Sequence, residues 1–230
     1  MKTIDITRIS DGKRTRVDDP VANEVLVSVF LNEMQIATFS CLGTNLNELI
    51  IGYLYFHDYI SDHNEITSMD YGVNDNKVYV SVTRDEYNLD NQPESSPKPY
   101  NHKMLLELMA TFAASSETFQ KTGAVHSAAI ATENKLLTAF EDLSRHNTLF
   151  MLLGYSLINN QPLSDKILLL TCRLTQSIMA LIQKTRVKTI LTKAAPTAYA
   201  VQQCKENNIT MAGFVRKNRM NIYHGSERIH

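Results

Sequence analysis

Glycine is scarce, 8 in 230 residues, and neither a GxGxxG nor a Walker A pattern occurs. A Gly-rich loop that cradles phosphate is therefore excluded. The three cysteines, Cys41, Cys172 and Cys204, are an odd number set far apart, with no CxxC spacing. That excludes a disulfide framework as the organising principle and suits a reducing compartment. No apolar run approaches the ~18 residues that would span a bilayer, and Met1-Lys2-Thr3-Ile4-Asp5 does not open a signal peptide. A cytoplasmic protein with no membrane partner is expected. With 43% hydrophobic and 20% charged residues, the composition is that of a globular chain, not of a disordered, collagenous or coiled-coil one.

The formal charge of -1 hides a division. From residue 184 onward nine basic residues (Lys184, Arg186, Lys188, Lys193, Lys205, Arg216, Lys217, Arg219 and Arg228) stand against Glu206 and Glu227, a net +7. The first 183 residues carry the balancing -8. A basic segment on an acidic body suggests a face that receives an anion, or equally a solvated surface that happens to be basic.

Along the chain, Glu24 to Leu31 and Met34 to Ser40 are β-rich runs joined by Asn32-Glu33, a hairpin. Leu46, Leu49, Ile50, Tyr53, Leu54 and His57 recur at helical spacing, with Asn45 or Asn47 able to cap the helix. A second hairpin joins Ile66–Val73 to Val78–Thr83 at Asn74-Asp75-Asn76. Residues 88–101 hold three prolines and almost nothing apolar, the composition of a linker or exposed loop. The chain is accordingly divided into an N-terminal α+β domain (1–90), a linker (91–101) and an α/β domain (102–230).

In that second part, helices are expected over His102–Phe119, Arg145–Ile158, Arg173–Lys184 and Pro196–Glu206, the last with Pro196 at its permissive first position. Strands are expected over Val125–Thr132, Leu136–Phe140, Lys166–Thr171, Lys188–Thr192, Ile209–Val215 and Met220–Tyr223. Short apolar strands alternating with helices imply an α/β layer structure with a mostly parallel sheet.

Polar residues gather at the strand-to-helix junctions, where open α/β sheets bind ligands. Glu141 to Asn147 (EDLSRHN) offers two carboxylates, Arg145 and His146, more than a helix cap needs, although Asp142 or Ser144 would serve as that cap. Thr171-Cys172-Arg173 and Lys193 to Thr197 occupy the next two junctions, and Thr122 to His126 could face the same edge. Alone, His126 reads as a satisfied core histidine. Cys172, placed at a helix start beside Arg173, has two features that lower a thiol pKa; the plainer reading, a small packing residue, nevertheless stands ahead of that one. Cys41 has no polar companions, and Cys204 shares a helix face with Ala200 and Val201. Phe214-Val215-Arg216-Lys217-Asn218-Arg219 is a basic turn whose arginines could grip oxyanions, or a charged hairpin tip.

The element order also suits the zinc deaminases, which place HxE and PCxxC at successive helix starts. Here His146 is followed by Asn147 and Thr148, and Cys172 by Arg173, Leu174 and Thr175. Two possible ligands and no general acid do not make that site, so no zinc is expected.

Together, the segments NELIIGYLYFHDYI, TGAVHSAAI, EDLSRHN, TCRLT, APTAYAV, ITMAGFVRKNRMNIY and RI resemble, in order and spacing, the formate dehydrogenase accessory proteins of the FdhD/NarQ family. The likeness runs from about residue 24 to 229. It implies a cytidine-deaminase-like three-layer α/β domain with a mixed sheet, plus a smaller N-terminal α+β domain. It also implies a maturation factor that passes sulfur from a cysteine desulfurase to the molybdenum bis(molybdopterin guanine dinucleotide) cofactor of the formate dehydrogenase catalytic subunit. GDP would mimic part of that cofactor, and its anionic character suits the +7 segment. The family's FxxxxR stretch matches Phe214 to Arg219; Arg145, His146 and Arg173 would line the pocket, with His126 at its rim. A homodimer is possible, and nucleic acid is not expected, since no stacking-aromatic motif accompanies the basic residues.

The departures concern chemistry. The family's CxxC loop falls near residues 88–99, where this chain has no cysteine. The glycine of the EDvGRHN-type segment is Ser144, and the Asp-Lys pair after it is Phe150-Met151. In the SGRxS-type segment the glycine is Cys172, and the later Glu and Lys are Ser177 and Leu181. Either Cys172 has taken over the relay, or the chain is a non-catalytic binder of the cofactor or of a guanine nucleotide.

Overall fold

The computed structural model describes residues 1–72, 75–83 and 95–230. It opens on a hairpin that the sequence reading did not anticipate, β1 (Lys2–Ser10) and β2 (Lys13–Val21). Its turn is Asp11-Gly12, both at positive φ (51° and 75°), the pair that a two-residue hairpin loop favours. The strands are so polar that hydrophobic alternation gives little sign of them.

Next come β3 (Val25–Leu31), β4 (Met34–Cys41), α1 (Leu46–Phe56), β5 (Ile66–Tyr71) and β6 (Lys77–Val82). They form a four-stranded sheet in the order β4-β3-β6-β5, with β3 and β6 parallel. Asn32 and Glu33 turn the β3–β4 hairpin at positive φ, as expected. Asn45 takes the cap position of α1 but makes no side-chain cap bond. Asn74 of the second hairpin turn and residues 91–94 of the linker lie outside the described residues.

The expected helix over 102–119 is two helices, α2 (His102–Ser115) and α3 (Glu117–Thr122). The chain bends at Ser116, whose hydroxyl bonds the Glu141 carboxylate, which also accepts from the Thr118 N–H at 3.2 Å. Glu141 thus caps α3. Beyond follow β7 (His126–Ala131), β8 (Leu136–Asp142), α4 (Arg145–Ile158), β9 (Ile167–Leu170), α5 (Gln176–Thr185), β10 (Thr189–Thr192), α6 (Ala198–Glu206), β11 (Thr210–Arg216) and β12 (Arg219–His224). Two helix starts move inward. α5 begins at Gln176, so Cys172 does not open a helix. α6 begins at Ala198 behind the Thr197 cap, whose Oγ1 accepts from the Ala200 N–H at 3.2 Å, so Pro196 is not its first residue.

The six-stranded sheet runs β12-β11-β10-β9-β7-β8. Only β9–β10 and β10–β11 pair in parallel; the other three pairs are antiparallel, so the sheet is mixed and not mostly parallel. The hairpins at both ends cause this, because the chain enters by β7–β8 and leaves by β11–β12.

Strand alternation gives the sheet two apolar faces. Ala129, Ala131, Ile167, Leu169, Leu191 and Ala212 meet Leu105, Leu108 and Phe112 of α2. Ala128, Ile130, Leu168, Leu170, Ile190 and Met211 face α4, α5 and α6, and that core continues without a break through α1 to Val27 and Val29 of β3. The continuity depends on two glycines. A Cβ at Gly52 of α1 would lie 1.8 Å from the Phe150 carbonyl oxygen, and one at Gly154 of α4 would lie 2.0 Å from that of Glu48. Nearby, buried Asp142 accepts from the Leu42 N–H at 2.9 Å and from Asn147 Nδ2 at 2.7 Å, while Asn147 also donates to the Ser40 carbonyl at 2.9 Å. No helix among the described residues is long and apolar enough to cross a membrane.

Candidate functional site

The carboxyl ends of β9, β10 and β11 and the start of β7 meet at one edge of the large sheet. A cleft of about 840 Å³ opens there, walled on one side by α2 and α3. Met109, Phe112, Ala113 and Phe119 give it an apolar wall, and His126, Thr171, Lys193, Arg216 and Lys217 line the rest. Phe119 is 44% exposed, and its ring centre lies 5.9 Å from Lys193 Nζ.

The floor is a hydrogen-bonded polar chain. The Ser127 N–H donates to Thr171 Oγ1 at 2.9 Å, the Thr171 N–H donates to the Ser127 carbonyl at 3.1 Å, and the Ser127 and Ser116 hydroxyls lie 3.1 Å apart. Ser116 passes the chain to Glu141. The basic rim is less committed. Arg216 reaches the Lys193 carbonyl at 3.4 Å, and neither Lys193, Arg216 nor Lys217 has an ion-pair partner among the described residues.

A β-bulge aims the rim. The register of β11 on β12 jumps from Gly213 opposite Asn221 to Arg216 opposite Arg219, and the extra residue, Phe214, takes φ 52°. Its N–H donates to the Ala194 carbonyl at 3.1 Å, tying the bulge to the loop after β10. A non-glycine residue in this region carries strain of a kind that clusters at functional sites. The bulge turns Val215, Arg216 and Lys217 to the cleft.

The expected site residues are therefore divided. His126, Val215, Arg216 and Lys217 line the cleft, whereas Phe214 supports it from the bulge. Asn218 and Arg219 stand exposed at and just beyond the hairpin tip, outside the lining. Arg145, His146 and Arg173 are not lining residues either; they sit across the strand ends. Arg145 and Arg173 nevertheless act on His126, whose pKa is lowered by burial first and by these two cations second. His146, also pushed down by burial and by Arg145, lies 3.0 Å by Nε2 from Ser177 Oγ. In the EDLSRHN block, Glu141, Asp142 and Asn147 are structural, and Ser144 caps α4 by accepting from the His146 N–H at 3.3 Å. Nor does the +7 segment form one face: Lys188 precedes β10 and Lys193 follows it, at opposite ends of the sheet, and Lys184 pairs with Asp58 at 2.7 Å.

Cys172 is 3% exposed, and burial pushes its thiol up to about 11, outweighing Arg145 and Arg173, which pull it down. Cys41 and Cys204 are buried as well, with thiols raised by burial to about 11 and about 12. Among the described residues no three His, Cys, Asp or Glu side chains gather as a metal site. Sequence reasoning missed Phe119, Ser116 and Ser127. The available signal was Ser116 followed by Glu117, a cap pattern inside a run of helix formers.

The FdhD/NarQ family profile matches residues 22–98 and 84–230. The chain belongs to the FdhD/NarQ family. Over 97% of its length it is 31% identical to the sulfur carrier protein FdhD of Halalkalibacterium halodurans, covering 93% of that relative. The FdhD of Bacillus subtilis is 30% identical, with 98% of this chain and 96% of that one aligned. Among solved structures, a protein described as a formate dehydrogenase accessory protein, from Desulfotalea psychrophila, superposes with a TM-score of 0.85 at 21% identity, covering 100% and 99% of the two chains. That likeness shows the fold, the mixed α/β arrangement described above. This FdhD/NarQ chain thus keeps the family architecture, while all three of its thiols lie in its core.

Proposed function

We propose that this chain is a formate dehydrogenase accessory protein whose cargo is the molybdenum bis(molybdopterin guanine dinucleotide) cofactor, and that the cleft receives an anionic nucleotide part of it. The observation that carries the reading is the cleft itself: three cations with no ion-pair partner among the described residues, Lys193, Arg216 and Lys217, share it with an apolar wall containing Phe119. Its volume of about 840 Å³ is that of an ordinary ligand pocket (~300–1,000 Å³). Arg216 would grip phosphate oxygens in bidentate fashion and Lys193 and Lys217 would add point charges. His126, held neutral near pH 7 by burial and its arginine neighbours, would donate or accept one hydrogen bond without adding charge.

The family role of sulfur transfer from a cysteine desulfurase needs a thiolate that a partner can reach. Cys41, Cys172 and Cys204 are all buried with raised thiol pKa values. That favours the second reading of the site, a cofactor- or guanine-nucleotide-binding relative that delivers or protects its cargo without carrying sulfur on this chain.

Calorimetry with GDP tests the binding step. Micromolar or tighter affinity is expected, and Arg216→Ala should weaken it by about tenfold, the ~1.4 kcal/mol of one charge-assisted contact. Arg219→Ala, outside the lining, should weaken it less. No heat with GDP at millimolar concentration would remove the cofactor reading.

A further inference from the structure

The polar floor of the cleft has a direction. Ser116 donates its hydroxyl proton to the Glu141 carboxylate, so its oxygen accepts from the Ser127 hydroxyl, 3.1 Å away. That bond in turn engages the Ser127 proton. Thr171 Oγ1 accepts from the Ser127 N–H at 2.9 Å and donates to the Ser127 carbonyl at 3.3 Å. All three hydroxyl protons thus point into the protein, and the floor has only oxygen lone pairs left for a ligand. Ser116, Ser127 and Thr171 all line the cleft, and Ser127 falls on the α2 face of its strand with Ala129 and Ala131.

The rim is the reverse: Lys193, Arg216 and Lys217 are donors only. Ser127 on β7 is two strands from β10, which Lys193 follows, and three from β11, which ends at Arg216. At the usual strand spacing, acceptors and cations therefore stand ~10–14 Å apart. Phe119 connects the two, one helical turn beyond Ser116 and with its ring centre 5.9 Å from Lys193 Nζ. A ligand complementary to this arrangement has N–H donors at one end, a flat apolar body and an oxyanion at the other, which is the layout of an extended nucleoside diphosphate. A phosphate turned to the floor would meet only lone pairs, with the Glu141 carboxylate behind them. Among the common bases guanine alone has two neighbouring donors on one edge, N1–H and the 2-amino group; adenine, cytosine and uracil each have a single donor group there.

We infer that Ser116 and Ser127 determine the specificity of the cleft: held as acceptors by Glu141, they read the donor edge of a guanine base stacked on Phe119, with its phosphates on Lys193, Arg216 and Lys217. This rests on the nucleotide reading of the cleft and adds an orientation to it, base inward and phosphate outward. Selectivity arises because Ser127 and Ser116 are only 3% and 7% exposed. A base that brings no N–H leaves their oxygens unpaired, and one that brings an oxygen is repelled.

Calorimetry of the full chain with GDP, inosine diphosphate and xanthosine diphosphate tests this, because the three differ at one position of the base, which carries an amino group, a hydrogen and an oxygen in turn. GDP should bind about tenfold or more tighter than inosine diphosphate, and xanthosine diphosphate should bind weakest. Ser127→Ala should weaken GDP far more than inosine diphosphate, closing the gap to about threefold or less, whereas a merely structural role would weaken both alike. Glu141→Gln should narrow the same gap, because an amide can donate to Ser116 and turn its hydroxyl proton toward the cleft. Equal wild-type affinity for the three nucleotides would overturn the serine reading and leave the nucleotide cleft standing. So would a gap that neither variant narrows. Binding of none of the three would overturn both.

Discussion

Replacing Gly52 by alanine would put a methyl group where α1 and α4 touch backbone to backbone. The added Cβ would lie 1.8 Å from the Phe150 carbonyl oxygen, 2.6 Å from its carbonyl carbon and 2.8 Å from the Gly154 nitrogen. Real Cβ atoms essentially never approach closer than 3.0 Å, so the helices must part by roughly 1.2 Å, the difference between the two distances. Both neighbours are helical backbone, which cannot step aside as a side chain tip would. Parting them loosens Leu49, Ile50 and Leu54 on one side and Leu149 and Leu153 on the other, all buried. Dispersion falls steeply with such a gap, and overpacking alone costs about 1–3 kcal/mol or more. Alanine returns about 1 kcal/mol through its helix propensity. The expected net loss is about 2–4 kcal/mol, read from urea unfolding followed by circular dichroism. Gly154→Ala should cost a similar amount, and the double variant less than the sum, because one separation relieves both clashes. Gly123→Ala is the control: its φ is 67° but nothing lies within 4 Å of an added Cβ, so only the left-handed backbone penalty of about 1 kcal/mol applies. If Gly52→Ala were as stable as wild type, or more stable than Gly123→Ala, the close crossing would be refuted.

Asp142→Asn should destabilise the fold by about 2 kcal/mol at neutral pH, because an amide cannot accept all of the Leu42, Ser144 and Asn147 donors. Burial raises the folded pKa of Asp142 above the ordinary 3.8, so the folded chain keeps this proton when the unfolded chain has lost it. Stability of wild type relative to Asp142→Asn should therefore fall as pH rises from 3.8 through the raised value; a rise over that window, in paired denaturation curves, would contradict it. A thiol reagent at pH 7 should label Cys41, Cys172 and Cys204 slowly in the native chain and all three at once after denaturation, as a thiol pKa of about 11 leaves about one part in 10,000 ionised. Intact mass after treatment with a cysteine desulfurase and cysteine should show no stable sulfur adduct; one that appears on wild type and vanishes in Cys172→Ser would make Cys172 the carrier.

Much of this protein is determined locally and is legible in the order of its residues. Short apolar runs bounded by turn residues gave most of the strands from Val25 to His224, because a strand buried on both faces needs an unbroken apolar stretch. Asn32-Glu33 marked its hairpin in the same way, and the family followed from segments held in a fixed order. The β1–β2 hairpin was legible only through Asp11-Gly12, because a ribbon that buries little carries little hydrophobic pattern.

What the sequence could not decide was which polar residues meet and which thiols see water. Cys172 beside Arg173 reads as an activated thiol; the fold places it 3% exposed, and desolvation overrides the neighbouring charge. The EDLSRHN block reads as a site, yet Glu141 caps α3 and Asp142 ties down the loop after β4. Phe119, Ser116 and Lys193 come together only because the chain bends at Ser116 and β10 ends beside β9. Burial and the meeting of distant strand ends belong to the whole chain at once. No window of sequence contains the dielectric or the neighbour that sets a group's chemistry, and only the tertiary structure supplies both.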